Sequence, residues 1–220
     1  VSCGVRSPEV YAAWKTAGMR RYLLRFETSD PGLYARLHHD SSLAERLEAL
    51  DTLRSLGVQV GSGFLIGVPG EEIETLARNI LLCRELELDM IGVGPFIAHQ
   101  GTPLAGTPNR WADDPEMFFM AVAVLRLYNE RAHIPATTAY DALFPDDGRE
   151  RLLACGANVF MPNVTPQPYR AAYQLYPGKP CADEDGSACL GCARLRIEAL
   201  GRHVAEGPGD AFDRKRQRDT

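Results

Sequence analysis

From Pro8 onward, apolar positions along the chain fall into two alternating rhythms. Stretches with apolar residues three and four apart predict helices over about 8–17 (PEVYAAWKTA), 42–56 (SLAERLEALDTLRSL), 71–86 (EEIETLARNILLCREL) and 115–130 (PEMFFMAVAVLRLYNE). Between them lie short, nearly continuous apolar runs: RYLLRFE at 21–27, VQVGSGFLI at 58–66, MIGVGPFI at 90–97, IPATTAY at 134–140 and ANVFMPN at 157–163. Runs of that length, bounded by Gly and Pro, read as strands buried on both faces. Further helices are predicted over about 147–154 and 192–203. The punctuation agrees. Ser7-Pro8 supplies an N-cap and a first helical residue, and Gly18 ends that helix. Ser42 and Gly57 bracket the next one, and acidic residues at 71–74 sit where a helix dipole favours them.

Strands alternating with helices define an α/β chain with a parallel sheet. Counting the opening VSCGV as the end of a strand gives about six βα units. That is too many for a small unit and two fewer than a closed eight-stranded barrel. The C-terminal portion of a TIM-type (β/α)8 barrel, strands three to eight, fits this count, with an open doubly wound sheet as the alternative. The first residue is Val1, so the chain reads as N-terminally truncated. The expected organisation is a partial barrel over 1–176, a cysteine-bearing segment over 177–203 and a disordered tail over 204–220.

Composition narrows the setting. The chain has 220 residues and a net charge of −5, with a basic run only in the tail, which argues against a nucleic-acid partner. No apolar run approaches the roughly 20 residues that span a bilayer, so no membrane partner is expected and a cytoplasmic location is. Six cysteines in a chain of ordinary hydrophobic content predict reduced thiols rather than a disulfide framework.

Candidate chemistry gathers at the strand ends, where side chains of a parallel α/β fold face a ligand. Arg25 and Glu27, two apart on one strand, share a face. They serve either a ligand carrying both an ammonium and a carboxylate group or a structural ion network. Thr137 and Thr138 offer hydroxyls and backbone N–H groups to a carboxylate, or are ordinary strand residues. Met161 is either core or a polarisable wall beside a ligand. Gly61, Gly63, Gly67 and Gly70 do not form a nucleotide fingerprint but would permit close approach by a flat ligand. His38, His39 and His99 have no acidic or cysteine partner at metal-ligand spacing, and Cys83 and Cys155 read as small hydrophobes. Cys3, at a strand end, could line a pocket. Cys181, Cys189 and Cys192 form C-x7-C-x2-C, which suits zinc with a fourth ligand, an iron–sulfur cluster, or reduced and empty thiols.

The strings RYLLRFETSDPGLYARLH, MIGVGPFIAHQGTPL, AHIPATTAY, GANVFMPNVTPQPYRAAYQLYPGK and the closing C-x7-C-x2-C resemble the HydE family, radical S-adenosylmethionine (SAM) maturases of FeFe-hydrogenase. LLRFET is also similar to methylornithine synthase, and biotin synthase belongs to the same superfamily. The resemblance implies a radical SAM barrel that binds SAM, a 4Fe-4S cluster and an auxiliary 2Fe-2S cluster. By position, Glu27 would take the SAM ammonium and Arg46 its carboxylate, with Met161 and Tyr176 lining the cofactor pocket. Arg25, Thr137 and Thr138 would hold the carboxylate of a cysteine-derived iron–carbonyl–cyanide substrate. Cys181, Cys189 and Cys192 would hold the auxiliary cluster.

The implied reaction forms a 5′-deoxyadenosyl radical during H-cluster assembly, alongside other hydrogenase maturation proteins and a reductant such as ferredoxin or flavodoxin. The family's C-x3-C-x2-C motif for the 4Fe-4S cluster does not occur in this sequence, so the chain alone is expected to hold half of the SAM site without generating the radical. Another radical SAM activity and a non-catalytic metal-binding remnant are the competing expectations.

Overall fold

The computed structural model describes residues 1–162, 165–170 and 186–211. In chain order the elements are α1 (Pro8–Thr16), β1 (Arg21–Leu23), α2 (Pro31–Leu37), α3 (Leu43–Ser55), β2 (Gln59–Ser62), β3 (Leu65–Ile66), α4 (Ile73–Glu85), β4 (Met90–Ile91), β5 (Gly94–Pro95), α5 (Glu116–Tyr128), β6 (Pro135–Ala136), α6 (Thr138–Leu143), α7 (Gly148–Cys155), β7 (Val159–Phe160), α8 (Gln167–Arg170) and α9 (Gly186–Ala199). Helices α1, α3, α4 and α5 stand where the periodicity places them.

Neighbouring strands are parallel and follow chain order. β1 pairs with β2, β2 with β4, β3 with β5 and β6 with β7. Bridges Glu27↔Phe64 and Met90↔His133 carry the ladder between these pieces, and the opening residue pairs with β1 through Leu23 N–H to Val1 C=O at 2.9 Å. A doubly wound sheet reverses its strand order partway across. Here β2 and β3 form one line beside β1, β4 and β5 form the next, and the Met90–His133 bridge brings in the line of β6, with no reversal, which is barrel order.

Burial along the first strand shows both faces. Tyr22, Leu24, Phe26 and Thr28 are at most 3 % exposed and face the helices, whereas Leu23, Arg25 and Glu27 are half-buried on the other face. One core runs the length of the fold beneath the helices, from Tyr11 and Leu53 through Phe64 and Ile91 to Leu125 and Tyr140. Among the described residues no helix is long and apolar enough to cross a membrane.

Four elements differ from the periodicity. IPATTAY is a strand only at Pro135–Ala136. Helix α6 begins at Thr138 because Tyr140 and Phe144 are drawn into an aromatic cluster with Phe118 and Phe119, centroids 5.0–6.4 Å apart. The loop after Asp30 holds α2, whose first turn is capped by the Asp30 carboxylate accepting from Leu33 N–H at 2.6 Å, with Pro31 following as the first helical residue. The ANVFMPN strand shortens to Val159–Phe160. The last helix starts at Gly186, six residues before the expected 192, and ends at Ala199. Within the stretch expected to be disordered, Asp210 accepts from Arg20, Arg21 and Gln59, and Ala211 is buried; Arg21 leads the donors that hold the Asp210 carboxyl below its usual range.

Candidate functional site

The C-terminal end of β1 carries the first group of candidate residues. Its regular ladder stops at Leu23 because Ser62, fully buried on β2, takes over: its hydroxyl donates to Leu24 C=O at 2.8 Å and accepts from Phe26 N–H at 3.2 Å. The backbone then turns at Glu27, which holds φ +67°, a conformation a non-glycine residue rarely adopts. It is fixed there by Glu27 N–H to Gly63 C=O (3.0 Å) and Leu65 N–H to Glu27 C=O (3.1 Å). Strain of this kind, held by the surrounding ladder, is characteristic of functional positions.

On the face so presented, Arg25 grips Glu27: Nη2 to Oε2 is 2.7 Å and Nε to Oε1 is 3.4 Å. The two side chains are 28 % and 15 % exposed. From the first turns of α3, Arg46 donates its Nη1 to Arg25 C=O at 2.7 Å and its Nε to the hydroxyl of Tyr34, a side chain buried on α2. Its remaining guanidinium nitrogen, Nη2, has no hydrogen-bond partner among the described residues. His38 packs its ring on Tyr34 with centroids 4.8 Å apart. Burial first, and then the Arg46 charge, pushes the His38 imidazole below its usual range.

A glycine floor connects this cluster to Thr137. A side chain at Gly92 would meet the Arg25 stem at 3.5 Å, and one at Gly94 would meet the Thr137 hydroxyl at 3.3 Å. Arg25 and Thr137 therefore lie over two buried glycines of one strand segment. Thr137 is the N-cap position of α6, and its hydroxyl lies 3.4 Å from Val93 C=O; Thr138 is helical rather than in a strand. Met161 follows β7 with its side chain about half exposed and its carbonyl held by Arg149 Nη1 at 3.2 Å. Tyr176 and Cys181 lie outside the described residues.

Two of the glycines singled out from sequence, Gly63 and Gly67, serve packing. A Cβ at Gly63 would fall 2.0 Å from Gly92 C=O, and one at Gly67 1.8 Å from the Asn109 amide. These positions let strand meet strand and loop meet strand, rather than open a face to a flat ligand. Cys83 is fully buried and its thiol is pushed up by burial, as suits a small hydrophobe. Cys3 is exposed, with its N–H bonded to the Tyr22 hydroxyl, and His99 accepts from Gly101 N–H within its own turn.

Two polar assemblies frame the strand ends. Glu71, fully buried, accepts from Gly67 N–H (2.7 Å) and Trp111 Nε1 (2.8 Å), with Asn79 Nδ2 at 3.4 Å. Asn109 donates to both Ile66 C=O and Phe96 C=O at 2.9 Å. Together they tie the long loop before α5 across the ends of β3 and β5. Burial raises the Glu71 carboxyl to about 7.

The second assembly docks α9. Asp141 receives Arg149 Nε (2.5 Å) and N–H (3.0 Å) together with Arg196 Nη1 (3.0 Å), while Arg196 also grips Glu150. Both arginines lie against the Phe160 ring, at 4.2 and 5.3 Å. The helix so anchored carries Cys189, buried, and Cys192, exposed. Among the described residues no three His, Cys, Asp or Glu side chains converge as a metal site. Sequence reasoning gave no site role to Tyr34, Gly92, Gly94 or Glu71; it placed Glu71 in the acidic first turn of a helix and the two glycines in a strand, and only the fold shows what they touch.

A parallel α/β barrel segment with an arginine–glutamate pair on a strained strand end, facing a glycine floor, belongs to a recognisable class. The model of the Radical SAM superfamily matches residues 1–83, which puts this part of the chain in that superfamily. It is similar to the FeFe hydrogenase maturase subunit HydE of Thermotoga maritima, 46% identical over 92% of this chain and 57% of that protein. A biotin synthase of Chlorobium luteolum is 31% identical over 66% of this chain and 42% of its own length. Among solved structures, methylornithine synthase superposes with a TM-score of 0.77 at 26% identity, covering 93% of this chain and 58% of that one. The chain thus spans about half the length of the relatives it matches.

Proposed function

We propose that this chain supplies the SAM-binding and substrate-binding strand ends of a HydE-type radical SAM maturase. The observation that carries this reading is the cluster at the end of β1: a carboxylate and two guanidinium groups, half-buried and incompletely hydrogen-bonded, beside a strip of strand without side chains. An amino-acid moiety presents one ammonium and one carboxylate. Glu27 complements the first, and Arg46, oriented by Tyr34, the second. Arg25 and Thr137 with Thr138, across the Gly92–Gly94 floor, suit the carboxylate of a second, cysteine-derived ligand, for which an iron–carbonyl–cyanide complex is the candidate. Met161 and Tyr176 would complete the cofactor wall.

A 4Fe-4S cluster, when bound, would supply the electron that cleaves SAM to the 5′-deoxyadenosyl radical. The described residues bring no three ligands together for it, and the sequence contains no C-x3-C-x2-C. The chain by itself is therefore expected to bind SAM rather than cleave it. Cys189 and Cys192, with Cys181, would serve an auxiliary 2Fe-2S cluster. A ferredoxin or flavodoxin and the other maturation proteins are the partners this role calls for.

The test is equilibrium dialysis of SAM against the full-length protein. Glu27→Gln should weaken binding by at least about tenfold, the loss of one charge-assisted hydrogen bond. Unchanged affinity in that variant would overturn the assignment. Formation of a biotin- or methylornithine-type product instead would move the chain to a sibling activity.

A further inference from the structure

The Arg25–Glu27 ion pair lies where two ligand groups of opposite sign are to be received, and each partner is the other's main engagement. Among the described residues the Glu27 carboxylate accepts hydrogen bonds from Arg25 alone, and the Arg25 guanidinium donates to Glu27 alone. We infer that this pair is a latch coupling the two subsites, so that SAM and the carboxylate-bearing substrate each strengthen the binding of the other. The inference rests on the assignment of Glu27 to the SAM ammonium and Arg25 to the substrate carboxylate given under Proposed function.

The geometry leaves little alternative to an exchange. Glu27 cannot turn away from Arg25 by backbone rotation, since its N–H and C=O are both held in the ladder at φ +67°. Arg46 cannot stand in for Arg25, because its Nε and Nη1 are committed to Tyr34 and to Arg25 C=O and its one remaining nitrogen, Nη2, is the group left for the SAM carboxylate. The stem of Arg25 lies across Gly92, with the floor extending toward Thr137, so a guanidinium released from Glu27 swings toward the substrate side.

The first ligand to arrive must break the pair and leave one half-buried charge without its partner. The second then meets a charge already released and avoids that cost. By linkage the effect is reciprocal: the factor by which the substrate tightens SAM equals the factor by which SAM tightens the substrate. Because the pair is partly open to water, the factor is expected at the low end of the usual range, about fivefold.

The experiment titrates SAM into the full-length protein with and without saturating methylthiopropionate, a carboxylate thioether that has no ammonium group to compete for Glu27. SAM affinity should rise about fivefold, and the reverse titration should give the same factor. In Arg25→Gln, checked for native fold by circular dichroism, SAM alone should bind more tightly than to the wild type and the coupling should vanish. Two ligands that bind the wild type independently or competitively would overturn the latch while leaving the subsites standing. Absence of SAM binding altogether would overturn both. The wild-type titrations decide the question even if the variant does not fold.

Discussion

Two clusters of charge sit at opposite ends of the strand series, and they differ in how completely they are satisfied. At the last strand, Asp141, Arg149, Arg196 and Glu150 engage one another through six hydrogen bonds, with Arg149 and Asp141 only 3 % and 6 % exposed. At the first long strand, Arg25 and Glu27 share a single two-point contact, remain partly open to water, and are joined by an Arg46 whose guanidinium is incompletely bonded. A saturated network can receive no ligand without breaking several bonds at once. An unsaturated one is ready to. The first is a strut that fixes α9 to the barrel, and the second keeps hydrogen-bonding capacity in reserve, although residue types and net charges are nearly the same.

Mutation should separate them. The largest effect is expected for Asp141→Ala, which leaves the buried Arg149 guanidinium without its counter-charge and should cost about 3–5 kcal/mol of stability in urea denaturation. A loss below ~1 kcal/mol would mean the strut is ornamental.

Glu71 gives an intermediate case, saturated yet strongly desolvated. Its carboxyl is raised from 4.5 to about 7 by burial, so the folded state binds its proton more tightly than the unfolded state does. Its contribution is therefore greatest below pH 4.5 and declines as pH rises toward 7, by up to ~3 kcal/mol. Glu71→Gln should remove that slope, so the stability difference between variant and wild type should shift in the variant's favour across this window. Parallel pH profiles for the two proteins would show that Glu71 stays ionised.

The smallest stability effect is expected at the Arg25–Glu27 pair. Arg25→Met removes a partly exposed ion pair and should change stability by no more than ~1 kcal/mol, while abolishing the coupling between ligands. A loss as large as that of Asp141→Ala would make Arg25 a second strut and erase the contrast.

Much of this was legible in the chain. The 3.6-residue rhythm placed α1, α3, α4 and α5, because each buries one stripe against a sheet and local spacing alone specifies that stripe. The alternation along RYLLRFE put Arg25 and Glu27 on one face, as found. Where local and long-range preferences competed, spacing misled. The threonines of IPATTAY favour a strand, but the aromatic cluster around Tyr140 starts a helix at Thr138. Gly63 and Gly67, which suggested room for a ligand, are consumed by packing, while Gly92 and Gly94, unremarkable in sequence, lie beside Arg25 and Thr137.

By itself, then, the sequence determined the class of fold, the strand that carries the charged pair and the superfamily. Each of these follows from residues within a few positions of one another. Only the tertiary structure decided that the strands run in barrel order, that Tyr34 orients Arg46 from another helix, and that Arg25 and Glu27 hold each other while the charges around Asp141 are fully paired. The partners that satisfy Asp141 lie 8 to 55 residues away in the chain, and that distance is closed only by folding.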